Sequence, residues 1–274
     1  MLPRSLIRLR VVISHLRMAQ MSTKSGEEIL FQTVNNTGVI TLNRPKALNA
    51  LNLSMVRKMY AQMLRWEEDP SIGLVLIKGE GEKSFCAGGD IRAVTEAGRK
   101  GDQLAQDFFR EEYILNHKIG VYKKPYVALI DGITMGGSTL DTDKDFVLKP
   151  HLEKINKLFA GQTMEKIFDN LQNDKSEWAK KQLDILKKMS PTSLKITLRL
   201  LLEGKTRSLA EDLTVEYRLS QRCLEDRDFY EGVRAVLIDK DNNPQWNPAS
   251  IKDVSNSKID WFFSPLDPKK ELVL

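Results

Sequence analysis

Two stretches decide the fold: SFCAGGDIR at residues 84–92 and YVALIDGITMGG at residues 126–137. In each stretch an apolar run passes into a turn that contains glycines. A third apolar run, IGLVLIK at residues 72–78, precedes them and ends at Gly79. Continuous apolar runs of this length are typical of strands buried on both faces, as parallel sheets require. The pattern of strand, crossover and strand predicts an α/β fold with parallel pairing, and we expect YVALI to be a buried strand.

The residues before these strands predict a hairpin and a helix. Two short apolar runs within residues 28–43 flank the turn residues Asn-Asn-Thr-Gly, which indicates a β-hairpin. Asn49 is a plausible N-cap for a helix over about residues 50–67, whose Met55, Met59 and Met63 would form one buried stripe. A further helix is expected over residues 103–118.

The second half of the chain has a different pattern, because strand-like runs stop after residue 137. Ser190-Pro191 matches a helix N-cap followed by an N1 proline, and Ser208 with Glu211 has capping-box spacing. The apolar segment 233–238 is the next candidate strand. Helices are predicted over residues 146–172, 176–189, 190–203 and 208–226. We therefore divide the chain into a leader at 1–26, an α/β part at 27–137 and a helical region at 138–274.

The charge of the chain is concentrated in its first residues. The 274 residues include 42 Lys and Arg against 37 Asp and Glu, a formal net charge of +5. Residues 1–26 contain five of the basic residues and no acidic residue, so the rest of the chain has equal numbers of basic and acidic residues. This composition predicts a mitochondrial transit peptide, with a disordered tail as the alternative. The equal numbers of basic and acidic residues after residue 26 argue against nucleic-acid binding. The sequence also lacks an apolar run long enough to span a membrane.

The glycine turns are the first candidates for chemistry. Glycine lets a substrate approach the backbone, and two amide N–H groups that converge on one point form an oxyanion hole. Taken alone, each turn is equally consistent with a tight turn that needs a positive φ. The nearby carboxylates are Asp90, which could cap the next helix, the adjacent pair Glu111 and Glu112, and Asp131. Adjacent helical residues face different directions, so at most one of the pair can point into a site.

Other catalytic patterns are not supported by the sequence. It has no P-loop and no G-x-S-x-G elbow, and its two cysteines and three histidines have no zinc-binding spacing. His117 and His151 lie among charged residues on predicted helices, which disfavours a Ser/His/Asp triad.

The motifs resemble those of the crotonase, or enoyl-CoA hydratase/isomerase, superfamily. The resemblance is carried by LNRPKALNAL at 42–51, SFCAGGDIRAV at 84–94 and KPYVALIDGITMGG at 124–137. FFREEYILN at 108–116 and DFYEGVRAVLIDKDNNPQWNP at 228–248 resemble the branch that hydrolyses 3-hydroxyisobutyryl-CoA in mitochondrial valine degradation. The resemblance implies a crotonase-like core of ββα repeats followed by a helical region. It also implies an acyl-CoA substrate, thioester hydrolysis in the mitochondrial matrix, no metal or redox cofactor, and the possibility of a homo-oligomer.

The same resemblance assigns roles to three residues. The amide N–H groups of Gly89 and Gly137 would form the oxyanion hole, and Gly137 would also contact the substrate. Glu112 corresponds to a glutamate of the hydrolase branch that contacts the substrate.

The sequence departs from the family directly after Gly137. Ser138 stands where a third glycine is expected, and residues 138–145 then read STLDTDKD. The family segment with the acid–base carboxylates is absent, and on the order of a hundred residues are missing, a large part of a domain of this size. We expect a hydrolase with impaired activity and with apolar edges left exposed on YVALI and IGLVLIK. The alternatives are a non-catalytic shortened form, a partner of the full-length enzyme and, less favoured because Leu140 is no acid–base group, an enoyl-CoA hydratase.

Overall fold

The computed structural model describes residues 26–135 and 148–274. The predicted hairpin is confirmed: β1 (Ile29–Val34) and β2 (Thr37–Leu42) pair antiparallel. β3 (Leu74–Gly79) pairs parallel with β2, and β5 (Tyr126–Leu129) pairs parallel with β3, so the sheet order is β1-β2-β3-β5. Two shorter strands, β4 (Ser84–Cys86) and β6 (Ile133–Thr134), form a separate parallel pair. The α/β fold with parallel pairing is therefore confirmed.

Three helices belong to this part of the chain: α1 (Leu53–Glu68), α2 (Ile91–Arg99) and α3 (Leu104–Gly120). The predicted N-cap of α1 was wrong by three residues. The Asn52 side chain accepts from the amide of Met55 and caps the helix. Asn49 is instead fully buried, and its amide group donates to the carbonyls of Glu80 and Ser84. It holds the loop before α1 against the strand that leads to the first glycine turn.

The methionine stripe of α1 is core, as predicted. Met55, Met59 and Met63 are all buried in the cluster that joins α1 to the sheet and to α3. Their i, i+4 spacing puts them on one helix face, and the flexible thioether chains fill the irregular gap between the two helices.

The second half is helical over the residues that the model describes. The predicted cap at Ser190 and the capping box of Ser208 and Glu211 are confirmed. The predicted helix over 146–172 is two helices, because the chain breaks near Gly161 and restarts at the N-cap Thr163. The helices are α4 (Leu152–Leu158), α5 (Met164–Asn173), α6 (Glu177–Leu186), α7 (Pro191–Gly204), α8 (Leu209–Glu225), α9 (Arg227–Val233) and α10 (Asn256–Phe263).

The candidate strand at 233–238 was wrong, since Arg234–Ile238 continues α9 as a turn of π-helix. The guanidinium of Arg234 pairs with the carboxylates of Glu231, Asp239 and Asp241, which stand before and after it in sequence. These local ion pairs hold the segment in a compact curl, whereas an extended strand would separate them.

The helical region is fixed to the α/β part through α3. This helix packs along α8, and Leu224 of α8 enters the same buried cluster as the methionine stripe. The C-terminal segment adds a second attachment, since Arg110 of α3 donates to the carbonyls of Lys270 and Glu271. One face of α3 therefore looks toward the sheet and its turns, and another is covered by the C-terminal residues.

The prediction that YVALI is a buried strand was wrong, and the expectation of an exposed apolar edge there is confirmed over the described residues. β5 is the last strand of its sheet, and no other strand of the described residues pairs with its outer edge. Val127 is 41% exposed and Ile130 is 37% exposed. The expected exposure of IGLVLIK was also wrong, because β3 lies between β2 and β5 and Val75, Leu76 and Ile77 are buried.

Candidate active site

The first glycine turn, residues 86–90, is held by backbone hydrogen bonds to the loop before α1. The amide of Leu51 donates to the carbonyl of Gly88 at 2.8 Å, and the amide of Asp90 donates to the carbonyl of Leu51 at 2.8 Å. Gly88 has a φ of +85°, a conformation that residues with a side chain rarely adopt. The motif is thus a rigid turn whose backbone groups have set directions.

Gly89 leaves its amide N–H unused. Its carbonyl accepts from the amide of Ile91 at 2.8 Å, whereas its N–H has no acceptor among residues 26–135 and 148–274. A Cβ on Gly89 would lie 2.8 Å from Cζ of Phe108, so the ring occupies the space a side chain would need. A fixed, unpaired N–H beside an apolar ring is the arrangement that an oxyanion donor requires.

The chain that leads to the second glycine turn lies beside the first turn. The amide of Met135 donates to the carbonyl of Cys86 at 2.9 Å, and the Ser84 hydroxyl donates to the carbonyl of Ile133 at 2.7 Å. The pairing of β4 with β6 therefore brings the two motifs together up to Met135. Gly137, the predicted second donor, lies outside the described residues.

Glu111 and Glu112 have opposite environments, as the sequence required of adjacent helical residues. Glu111 accepts three hydrogen bonds from Arg57 of α1 and forms an ion pair with it. Glu112 is half-buried and has no hydrogen bond or ion pair with any residue that the model describes. Burial raises its pKa to about 7. A carboxyl group that titrates near neutral pH can take up or release a proton under working conditions.

Glu112 lies on the face of α3 that looks toward the Gly89 turn. It follows Phe108 by four residues, which places it one helical turn further along the same face. The Cys86 thiol, at the start of the turn, has its pKa raised by burial and by the charge of Glu112. Glu112 and the turn are therefore electrostatically coupled.

The remaining carboxylates of the sequence prediction have structural or surface positions. Asp90 caps α2 by accepting from the amide of Ala93, and it pairs with Arg44 at 3.0 Å. Asp131 is exposed. His151 stacks on Trp178 in the helical region, with 5.1 Å between the ring centroids.

Phe108 is the residue that sequence reasoning missed. It sets the space around Gly89 and shares a helix face with Glu112. The signal was present in the i, i+4 spacing of the two residues, but only the packing of α3 against the turn shows which face points inward.

The described part of the chain lacks two further kinds of feature. No group of three or more His, Cys, Asp or Glu side chains is arranged to hold a metal ion. No helix there is both long and apolar enough to cross a membrane.

Comparison with known proteins gives concordant results. The family model described as enoyl-CoA hydratase/isomerase matches residues 37–139 and 137–263. Mitochondrial 3-hydroxyisobutyryl-CoA hydrolases are similar in sequence: the Xenopus tropicalis protein is 44% identical and the Homo sapiens protein 39% identical, each over 363 aligned positions that cover 94% of either chain. Among solved structures, an enoyl-CoA hydratase from Rhodobacter sphaeroides is similar, with a TM-score of 0.83 and 27% identity over 90% of this chain and 100% of its own. A carnitinyl-CoA dehydratase from Mycobacterium thermoresistibile has a TM-score of 0.84 and 26% identity over 90% of this chain and 99% of its own.

The alignments also place the missing block. They run over 363 positions although the chain has 274 residues, so the relatives carry a long stretch without a counterpart here. The two matches to the family model meet at residues 137–139. The block is therefore absent at the point where the sequence departs from the family pattern.

Proposed function

The chain belongs to the enoyl-CoA hydratase/isomerase family, and from that premise we propose that it is a hydrolase of 3-hydroxyisobutyryl-CoA with slow turnover. The reaction takes up one water and releases 3-hydroxyisobutyrate and CoA. The observation that carries the proposal is that the half-buried Glu112 lies one helical turn from Phe108, whose ring packs against Gly89, and that the Gly89 amide has no acceptor among the described residues. The names of the relatives that are 38–44% identical supply the substrate.

The oxyanion hole acts on the thioester carbonyl. As water attacks, negative charge develops on the carbonyl oxygen, and the Gly89 N–H stabilises it. One such donor is worth about 3–4 kcal/mol of the barrier. By resemblance, the amide of Gly137 is the second donor. When the tetrahedral intermediate collapses, the carbonyl group re-forms and the C–S bond breaks, which releases the CoA thiolate.

Glu112 is the acid–base group available to this chain. In its ionised form the carboxylate accepts a proton from the attacking water, and in its protonated form it can return one to the departing sulfur. By resemblance it also contacts the substrate. Water, the protein backbone and this carboxyl group suffice for the proposed reaction, with no metal or redox cofactor.

Turnover is slow because the dedicated acid–base segment of the family is absent. General acid–base catalysis contributes about 10²–10⁴ in rate. The same absence favours a second candidate, a non-catalytic chain that keeps the CoA thioester site and partners the full-length enzyme. Catalysis at a rate above buffer distinguishes the two.

We place the reaction in the mitochondrial matrix. The support is the basic, acid-free composition of residues 1–26, which lie largely outside the described residues, together with the mitochondrial names of the relatives.

Release of the CoA thiol from 3-hydroxyisobutyryl-CoA, followed with a thiol reagent, tests the proposal. We expect slow release above buffer, rising with pH through about 7 as Glu112 ionises. Glu112→Gln should lower the rate by about a hundredfold or more and abolish the rise. Glu111→Gln is the matched control, since it removes one carboxylate from the next position on the same helix and should leave the rate unchanged.

The outcomes separate the candidates. Equal rates for the two variants would overturn the role of Glu112. Binding of a CoA thioester by calorimetry with no release above buffer would establish the non-catalytic form. Release at the rate of a full-length relative would contradict the loss of the acid–base segment.

A further inference from the structure

We propose that the outer edge of β5 is the docking site for a second copy of this chain, which pairs with it antiparallel. β5 hydrogen-bonds to β3 on one side only, and among the described residues no strand covers the other. An uncovered edge strand presents a row of backbone N–H and C=O groups that another strand can satisfy.

Several apolar side chains are exposed along the chain from β5 to the end of β6. Val127 and Ile130 of the strand region are exposed, and beyond them Ile133 is 42% exposed and Met135 is 62% exposed. Residues 125–130, PYVALI, contain no charge. Edge strands of natural proteins are commonly protected by charges or bulges, and this one is not. Burial of such a strip favours association.

The strip lies close in sequence to the position of the missing block. The two matches to the family model meet at 137–139, directly after β6. The block carried by the relatives would therefore leave the chain a few residues after β5 in sequence.

Charges at the two ends of the edge select a second copy in antiparallel orientation. Lys123 and Lys124 precede the uncharged stretch. The Lys124 ammonium donates to the carbonyls of Trp66 and Asp69, whereas Lys123 is 70% exposed, and Asp131, which follows the stretch, is exposed. A two-fold axis at Val127 brings Lys123 of each copy near Asp131 of the other. A parallel arrangement would bring like charges together instead. The only ion pair that Lys123 makes among the described residues is a 3.7 Å surface contact with Glu68, which leaves it free to turn.

Sedimentation of the full chain over a range of concentrations tests the proposal. We expect a monomer–dimer equilibrium. Val127→Lys puts a charge at the centre of the edge and should weaken the dimer more than tenfold. Leu201→Lys is the matched control, because Leu201 is 66% exposed on α7, far from the strip in sequence, and should leave the equilibrium unchanged.

Charge exchange tests the orientation. Lys123→Asp or Asp131→Lys alone should each weaken the dimer about tenfold, since two attractive surface contacts become repulsive. The double variant should restore it. Circular dichroism checks that each variant folds. A wild-type chain that stays monomeric, because its own residues cover the edge, would overturn the proposal, and so would equal effects of the Val127 and Leu201 variants. Failure of the double variant to recover would overturn the antiparallel register.

Discussion

At the scale of single residues, the candidate site depends on Gly89 and Phe108. The ring takes the space of a side chain on Gly89 and so fixes how far the turn can approach α3. Interiors are close-packed, so this contact cannot be widened without moving the amide. The glycine is needed here for close approach, whereas its neighbour Gly88 is needed for a positive φ.

Gly89→Ala should therefore lower CoA release by about a hundredfold, the loss seen when an oxyanion donor is displaced. The added methyl also overpacks the core and should lower the free energy of unfolding by about 1–3 kcal/mol. Phe108→Leu in the same chain should recover part of both losses by making room. A Gly89→Ala variant with unchanged turnover would show that this amide is not a donor in the reaction.

At the scale of elements, α3 connects the parts of the molecule that the site needs. It carries Phe108 and Glu112 toward the glycine turn and packs on α8 behind them. Near its end, Lys118 pairs with the buried carboxylate of Glu67 on α1. The hydrogen bond from Lys118 holds the pKa of Glu67 below its ordinary value. The carboxylate thus stabilises the fold above that ordinary pKa, and the contribution is lost as the pH falls.

Lys118→Met should lower the free energy of unfolding by about 3 kcal/mol at pH 7, because it leaves the Glu67 charge buried without its partner. Urea denaturation measures the loss. The double variant Glu67→Gln/Lys118→Met should recover much of it, since the amide oxygen still accepts from the backbone of Lys123. As a matched control, Lys123→Met removes only a surface pair with Glu68 and should change stability by less than about 1 kcal/mol. Equal losses in the two single variants would contradict a special role for the buried pair.

At the scale of the whole molecule, one absence would account for two proposed properties. The relatives' internal block is missing after β6. By resemblance that block holds the family's acid–base carboxylates, and we propose that its absence also leaves the β5 edge uncovered. Slow turnover and self-association are thus expected to have a single origin.

Insertion of the corresponding block of the Xenopus tropicalis relative between Gly137 and Ser138 should reverse both. CoA release should rise by at least about a hundredfold, the contribution of general acid–base groups. The sedimenting species should become independent of the Val127→Lys substitution. A flexible Gly/Ser insert of equal length is the control and should restore neither property. A chimera that folds yet turns over no faster would show that the rate is limited elsewhere.

Much of the fold could be predicted from local sequence. The hairpin, the methionine stripe and the caps at Ser190 and Ser208 depend on residues a few positions apart, and the structure confirms them. The two failures have different causes: residues distant in sequence decide the position of Asn49, whereas nearby charges override the apolar pattern at 233–238. Asn49 was expected to cap α1, but its side chain donates instead to the carbonyls of Glu80 and Ser84. The segment at 233–238 was expected to extend, but the ion pairs of Arg234 curl it.

The sequence by itself determined the family, the expected reaction class and the place where the family pattern breaks, because glycine turns and apolar runs are local signals. Only the tertiary structure showed the separate environments of Glu111 and Glu112, placed Phe108 against Gly89 and buried IGLVLIK. The physical reason is that burial, and with it the raised pKa of Glu112, depends on which elements pack together. A strand that reads as buried in sequence is buried only if the residues that should cover it are present in the folded chain.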